Sequence, residues 1–171
     1  MRSVGIFAGT FDPVHAGHIS FALAAAKTGQ LQQVYFLPEH QPRAKQDASD
    51  FKDRLALLEK ALKPYENLEI LELDEPHFSI AITIPELKSR FPNTELNFLM
   101  GSDAGYNLPK WEGIETILPE VKLIIGMRAG DDESDFMKFL AEHLPQARAT
   151  IIASPKPHVS SSRLRTKGKR P

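Results

Sequence analysis

The sequence contains no cysteine in its 171 residues. That absence excludes a disulfide framework, a thiolate nucleophile and a cysteine-ligated zinc site, and it agrees with a reducing compartment. The apolar run in the N-terminal stretch MRSVGIFAG is far too short for a signal peptide, and no later stretch approaches the length of a membrane span. We therefore expect a cytoplasmic protein that has no membrane partner.

An excess of charge of either sign is also missing. The 21 Lys and Arg residues nearly balance the 22 Asp and Glu residues, which gives a formal net charge of -1. Because there is no global positive field, an anionic ligand must be held by a local cluster of charges. The basic end RLRTKGKRP is the one clear compositional shift, and short basic tails are more often solvated than bound to nucleic acid. We expect no nucleic-acid partner.

What the sequence does contain is a regular alternation of strand and helix patterns. Runs rich in Val, Ile, Leu and Phe predict about six strands, SVGIFA, QVYFL, LEILEL, ELNFLM, VKLIIGM and ATIIA. Apolar residues at helical spacing predict helices in HISFALAAAKTG, DFKDRLALLEKAL, TIPELKSRF, a segment around Trp111 and DESDFMKFLAEHL. This order predicts an α/β fold, an open, doubly wound, mostly parallel Rossmann-like sheet with helices on both faces. We expect it to form a single domain over residues 1–171.

The stretch GTFDPVHAGH, residues 9–18, follows the first predicted strand and enters the first predicted helix. Gly9 and Thr10 add little side-chain bulk at the end of the strand, and a helix N-terminus favours phosphate. His15 and His18 are three residues apart, so both side chains should point to one side of the first helical turn. Zinc does not fit, because no third ligand lies nearby in the sequence. The pattern predicts a phosphate site between two imidazoles.

Three consecutive serines near the other end of the chain form a second candidate phosphate site. Ser160, Ser161 and Ser162 precede Arg165. Any one of these serines could simply cap a helix. Three hydroxyl groups and backbone donors ahead of an arginine also fit a cradle for phosphate, and that is the interpretation we favour.

At these residues the sequence resembles the H-x-G-H nucleotidyltransferases. G-T-F-D-P-x-H-x-G-H is similar to their signature, and VSSSRLR, residues 159–165, is similar to their second motif, I-S-S-T-x-I-R. The stretch FLMGSDAGYNLPKW resembles one branch in particular, the bacterial nicotinate or nicotinamide mononucleotide adenylyltransferases, which carry G-x-D and then L-x-x-W after strand four. The matching positions outside the two signatures are Gly101, Asp103, Leu108, Trp111, Pro38, Pro42, Lys45 and Arg54.

The resemblance implies transfer of AMP from ATP to nicotinate or nicotinamide mononucleotide, with release of pyrophosphate, in NAD biosynthesis. It implies catalytic roles for His15, His18, Lys45 and Arg165, which would share the task of offsetting phosphate charge. Binding of ATP or its phosphates is expected from Gly9, Thr10, Phe11, Asp103, Ser160, Ser161 and Ser162. Binding of the mononucleotide is expected from Thr83, Trp111 and Arg128, although a surface position is the alternative for Arg128. Mg²⁺ is expected to arrive on the ATP phosphates, with no protein-ligated metal site.

The loop after the third strand departs from the family pattern. Relatives carry an aromatic residue and then T-x-D-T, whereas this chain has Phe78, then Ile82 where the aspartate would fall and Thr83 at the final threonine. The stretch TIPE, residues 83–86, also predicts a capping box with proline in the first turn, so we expect a helix to begin at Thr83. Ala44 stands where a histidine is common in the family. These departures leave the identity of the pyridine base open.

Two alternatives remain open on the sequence alone. One is another small adenylyltransferase of the superfamily, such as phosphopantetheine adenylyltransferase, against which His15 counts because that family usually has threonine there. The other is a nucleotide-binding module without catalysis, against which the presence of His15, His18 and Lys45 counts. The sequence leaves the oligomeric state open, a homo-oligomer included.

Overall fold

The computed structural model describes residues 1–43 and 45–153. Its strands are β1 (Arg2–Gly9), β2 (Gln33–Pro38), β3 (Leu68–Ile70), β4 (Thr94–Gly101), β5 (Val121–Met127) and β6 (Ala149–Ala153). They form one sheet in the order β3-β2-β1-β4-β5-β6, and every pairing is parallel. The predicted doubly wound, Rossmann-like α/β fold is confirmed.

The helices cover both faces of this sheet. They are α1 (Ala16–Thr28), α2 (Phe51–Leu62), α3 (Ile80–Arg90), α4 (Ser102–Asn107), a 3₁₀ turn (Leu108–Lys110), α5 (Ile114–Ile117) and α6 (Glu133–His143). Successive strand residues point to opposite faces, so Leu123 and Ile125 join one hydrophobic cluster while Ile124 joins the other. The first cluster contains residues of α3, α5 and α6, and the second contains residues of α1 and α2.

The strand order reverses between β1 and β4, which lie side by side at the centre of the sheet. In folds of this kind a ligand binds beyond the carboxyl ends of the strands at that switch point. Strand β1 ends at Gly9 and β4 ends at Gly101. The segments that follow these two glycines are the loop 10–15, which belongs to the first signature, and the stretch 102–111, which contains the aspartate of G-x-D and the L-x-x-W positions, so both lie at the expected crevice.

Two predicted boundaries were wrong. Helix α3 begins at Ile80 and not at Thr83, because Ser79 is the residue in extended conformation that precedes it. Pro85 therefore lies inside the helix. Because proline has no N–H group, it donates no hydrogen bond to the carbonyl group of Ala81, and both residues are exposed to water. Strand β3 ends at Ile70, three residues before the end of the predicted run, because only its first residues pair with β2.

Within the described ranges, no helix combines the length and apolar character that crossing a bilayer requires.

Candidate active site

The turn from β1 into α1 holds the two imidazoles side by side. His15 is the N-cap of α1, and its Nδ1 accepts a hydrogen bond from the Gly17 N–H at 3.1 Å. The backbone N–H of His15 in turn donates to Nδ1 of His18 at 3.2 Å. The two rings stack with 3.7 Å between their centroids and 23° between their planes. The predicted placement of both imidazoles on one side of the first turn is confirmed.

These hydrogen bonds determine which nitrogen of each ring carries the proton. Because Nδ1 of His15 and Nδ1 of His18 both accept from backbone N–H groups, each neutral ring has its proton on Nε2. Burial lowers the pKa of His15. The pKa of His18 falls to about 3, first because of burial and then because of the charges of His15 and Lys45. At neutral pH both rings are therefore uncharged, and each offers an Nε2–H donor.

Aromatic side chains surround His18 and account for its burial. Its ring lies 5.2 Å from the ring of Phe11 and 6.0 Å from that of Phe7, in edge contacts. Phe11 is 2% exposed and adopts φ 48, a left-handed conformation that a phenylalanine rarely takes. A Cβ atom on Gly9 would lie 3.1 Å from Cζ of Phe11, so the glycine leaves room for this ring. Phe11 thus has a packing role beneath His18.

Arg54 ties the loops around this turn together. This arginine of α2 is 2% exposed. It donates to the carbonyl groups of Thr10 at 2.7 Å, Glu39 at 2.9 Å, His40 at 3.1 Å and Ser49 at 2.9 Å. Burial lowers the pKa of Arg54, while the charges of Asp12 and Glu39 raise it. One side chain therefore connects the loop after β1, the loop after β2 and the start of α2.

Further contacts hold the loop after β2 against the histidine turn. The Glu39 N–H donates to the Gly9 carbonyl at 3.0 Å, and the Ser49 N–H donates to Oδ2 of Asp12 at 3.0 Å. Lys45 lies in the segment between these two points, and its charge is close enough to lower the pKa of His18. The structure thus brings Lys45 and His18 to the same site, as the sequence predicted.

On the other side of the switch point, Asp103 and Arg128 pair with each other. Asp103 lies in the first turn of α4 and Arg128 follows β5, and an ion pair joins Nη1 of Arg128 to Oδ2 of Asp103. Each side chain is about half exposed. Asp131 accepts hydrogen bonds from the Ser102 hydroxyl and, at 3.2 Å, from the Arg128 N–H. The predicted ligand-binding side chains of Asp103 and Arg128 therefore lie at the carboxyl edge of the sheet, where they are partly exposed to solvent.

A cleft lies beyond β2 and β3. It is widely open to solvent, and its lining includes Pro38, Glu39, Glu75, His77, Phe78 and Thr83. The Thr83 hydroxyl accepts from the Ser79 N–H at 2.9 Å, so this threonine both stabilises the first turn of α3 and faces the cleft.

Trp111 lies next to this cleft. Its ring is 5.8 Å from the ring of Phe78 and is partly buried against the hydrophobic cluster on that face. Phe78 also makes an edge contact with Phe98 of β4, at 5.7 Å. The aromatic pair of Phe78 and Trp111, with 50° between the ring planes, thus connects the cleft to the segment after β4.

The predicted second phosphate site lies outside the described residues, and so do its members Ser160, Ser161, Ser162 and Arg165. Ala44 also lies outside them. In the described part, no three His, Cys, Asp or Glu side chains are grouped in a way that could hold a metal ion.

Sequence reasoning missed the structural importance of Arg54 and the presence of Glu39 and Glu75 in the cleft. A signal for Arg54 was present, since it lies four and eight residues before Leu58 and Leu62, the other buried residues of α2. A charged residue within an apolar stripe indicates a buried, hydrogen-bonded side chain. No comparable signal existed for the two glutamates, because both lie in irregular segments.

Comparisons with known proteins agree with this geometry. Residues 6–167 match the family model described as cytidylyltransferase-like. A Clostridium perfringens protein named "Probable nicotinate-nucleotide adenylyltransferase" is 35% identical over 143 residues, covering 81% of this chain and 71% of its own. A Neisseria meningitidis protein of the same name is 32% identical over 176 residues, covering 98% of this chain and 89% of its own.

Solved structures support the fold. The nicotinic acid mononucleotide adenylyltransferase of Plasmodium falciparum, complexed with NaAD, superimposes with a TM-score of 0.81 over 97% of this chain and 83% of its own. The same protein complexed with APC gives a TM-score of 0.78 over the same shares. At 17% sequence identity, these matches concern the fold alone.

Proposed function

Because this chain belongs to the cytidylyltransferase-like family, and within it to the nicotinate-nucleotide adenylyltransferases, we propose that it transfers AMP from ATP to a pyridine mononucleotide and releases pyrophosphate. The observation that carries the proposal is the stacked pair of His15 and His18, with both Nδ1 atoms engaged by the backbone at the mouth of α1. We place this reaction in NAD biosynthesis, in the cytoplasm, in a single domain over residues 1–171.

The reaction requires alignment of two anions. A phosphate oxygen of the mononucleotide attacks the α-phosphorus of ATP, and the bond to the bridging oxygen breaks, so its electron pair leaves with pyrophosphate. The acceptor phosphate is already a nucleophile, which removes the need for a general base. Two unit charges of the same sign repel by about 4 kcal/mol at 4 Å and an effective dielectric of 20. The site must offset this repulsion while it holds both substrates in line.

His15 and His18 act as hydrogen-bond donors in this proposal. Their Nε2–H groups have no hydrogen-bond partner among the described residues, and they can donate to phosphate oxygens without the transfer of a proton. Positive charge comes from Lys45 and from the N-terminus of α1. The turn takes its shape from Gly9, Thr10 and Phe11. The second phosphate site is supplied by Ser160, Ser161, Ser162 and Arg165.

The remaining predicted residues hold the two nucleosides. In this proposal Asp103 accepts hydrogen bonds from ribose hydroxyls, and Arg128, its ion-pair partner, binds the mononucleotide phosphate. Thr83 and Trp111 hold the pyridine ring at the cleft beyond β2 and β3.

Mg²⁺ would be carried by the ATP phosphates. When bound, the ion supplies charge neutralisation for the departing pyrophosphate.

The proposal is tested by pyrophosphate release from ATP and Mg²⁺ with nicotinate mononucleotide, nicotinamide mononucleotide or phosphopantetheine as acceptor. We expect turnover with a pyridine mononucleotide and none with phosphopantetheine. His18→Ala should lower kcat by about 100-fold or more, because it removes a donor to the transition state, with a modest loss of ATP binding. Turnover with phosphopantetheine alone, ATP binding without any turnover, or an unchanged rate in His18→Ala would contradict the proposal.

A further inference from the structure

The turn that follows β5 is tied to the start of α4 by one carboxylate. Residues 128–131 form this turn, in which the Asp131 N–H donates to the Arg128 carbonyl at 3.1 Å. Gly130, with φ 92, provides the left-handed conformation within the turn. Oδ2 of Asp131 accepts two hydrogen bonds, one from the Arg128 N–H at 3.2 Å and one from the Ser102 hydroxyl. Asp131 therefore closes its own turn and also joins that turn to another element.

The two ends of this connection differ in how firmly the rest of the fold holds them. Ser102 is fully buried at the point where β4 passes directly into α4. All four residues of the turn 128–131 are exposed, and they belong to no helix or strand. Because such a segment has little packing of its own, its position depends on the contacts that tie it to a rigid element. The Asp131 carboxylate provides such a contact.

Both ends of the connection are next to side chains that the proposed function assigns to ligands. Ser102 immediately precedes Asp103, and Asp131 binds the backbone N–H of Arg128 itself. The ion pair between Arg128 and Asp103 completes a closed ring of contacts. This pair uses Nη1 of Arg128, and since a guanidinium has five N–H donors, Arg128 can also donate to phosphate oxygens.

From these contacts we propose that Asp131 is a positioning residue, which holds Arg128 where it can bind the phosphate of the mononucleotide. The inference rests on the proposed adenylyltransferase function, and Asp131 lies outside both signatures of the sequence. The carboxylate acts through its two hydrogen bonds and does not touch the substrate. Without it, the turn and Arg128 would have to be ordered when the mononucleotide binds, and that cost would weaken binding.

The test measures kcat and the KM for nicotinate mononucleotide in the full chain and in Asp131→Ala. We expect KM to rise about tenfold and kcat to change by less than about threefold, because the loss falls on binding. Asp131→Asn keeps an oxygen acceptor and should bring KM back to within about threefold of the wild-type value. The matched control is Asp135→Ala, the same change at an exposed position in the first turn of α6, which should leave both constants unchanged.

A double-mutant cycle separates positioning from a general loss of structure. Arg128→Ala should raise KM at least as much as Asp131→Ala does. The two changes together should have little more effect than Arg128→Ala alone, since Asp131 acts through Arg128. Titration calorimetry with nicotinate mononucleotide, without ATP, gives the Kd of the wild-type protein and of these three variants, and it requires no turnover.

The binding data also keep this inference separate from the proposed function. If no variant releases pyrophosphate, the proposed function fails, while the Kd values still test Asp131. Effects of the two changes that simply add, an unchanged affinity in Arg128→Ala or Asp131→Ala, or no recovery in Asp131→Asn would overturn the inference. A wild-type protein that does not bind the mononucleotide would overturn it as well.

Discussion

At the scale of single residues, the histidine pair shows how a backbone turn determines side-chain chemistry. The sequence predicted that His15 and His18 would help to offset phosphate charge. The structure has both rings neutral at pH 7, because burial lowers the pKa of each and Nδ1 of each accepts from a backbone N–H. In the proposed reaction they would therefore act through oriented Nε2–H dipoles, and the positive charge at the turn would come from Lys45 and the helix N-terminus.

The depressed pKa of His18 makes the stability of the fold depend on pH. In the unfolded chain this histidine binds a proton below about pH 6.5, whereas in the folded chain its pKa is about 3. Between these values the unfolded state binds more protons, so stability is present above pH 6.5 and is lost as the pH falls. Over the 1.5 units from 6.5 to 5, the loss from this one residue is about 2 kcal/mol.

Urea denaturation at pH 7.5 and pH 5 checks this expectation. The fall in the free energy of unfolding between these pH values should be smaller by about 2 kcal/mol in His18→Gln than in the wild-type protein. His143→Gln, which changes an exposed histidine at the end of α6, serves as the control. Equal falls in the wild-type protein and His18→Gln would contradict a strongly lowered pKa for His18.

At the scale of elements, α2 holds the loops of the site in place through Arg54. Its apolar residues pack on the sheet, and Arg54 on the same face reaches past them to four carbonyl groups in three segments. The buried guanidinium also lies 5.4 Å from the ring of Phe51. Because these loops have little regular structure, this side chain largely determines where the loop after β2 lies relative to the histidine turn.

Replacement of Arg54 by methionine should therefore destabilise the protein and disturb the site. The change leaves four buried or partly buried carbonyl groups without their donor, and we expect the free energy of unfolding to fall by about 3 kcal/mol or more. Arg90→Met is the matched control, because Arg90 forms an exposed ion pair with Glu86 and should contribute well under about 1 kcal/mol. Urea denaturation at pH 7.5 measures both. Similar losses for the two variants would show that Arg54 is not the support that its contacts indicate.

The elements were predictable from the sequence wherever a periodic apolar pattern met a clear turn. Strands such as β5 and helices such as α6 follow directly from that pattern. The start of α3 was not predictable. The stretch TIPE matches the sequence pattern of a capping box, but the helix begins earlier, directly after Ser79. The histidine turn was predicted because its spacing is local. The position of Glu75 was not, since this residue lies in the irregular segment between β3 and α3, which has no periodic pattern.

At the scale of the whole molecule, the site and the core share the same central strands. The β1–β4 pair joins the half of the sheet that contains β2 and β3 to the half that contains β5 and β6. The histidine turn leaves from β1, and the segment with Asp103 and Trp111 leaves from β4. A ligand at the switch point would therefore touch both halves, and neither half could separate without exposing the central strands of the other.

This arrangement leads to a prediction about unfolding that also tests the proposed single domain over residues 1–171. Because both hydrophobic clusters pack on one sheet, the two halves should unfold together. Calorimetry should give one transition with an enthalpy of about 120 kcal/mol near 60 °C and equal calorimetric and van't Hoff values. Trp111 fluorescence, which reports the side of β4, should change at the same urea concentration as far-UV circular dichroism, which reports all elements. Two separated transitions, with Trp111 following only one of them, would show that the halves fold independently and that the crevice lies between domains.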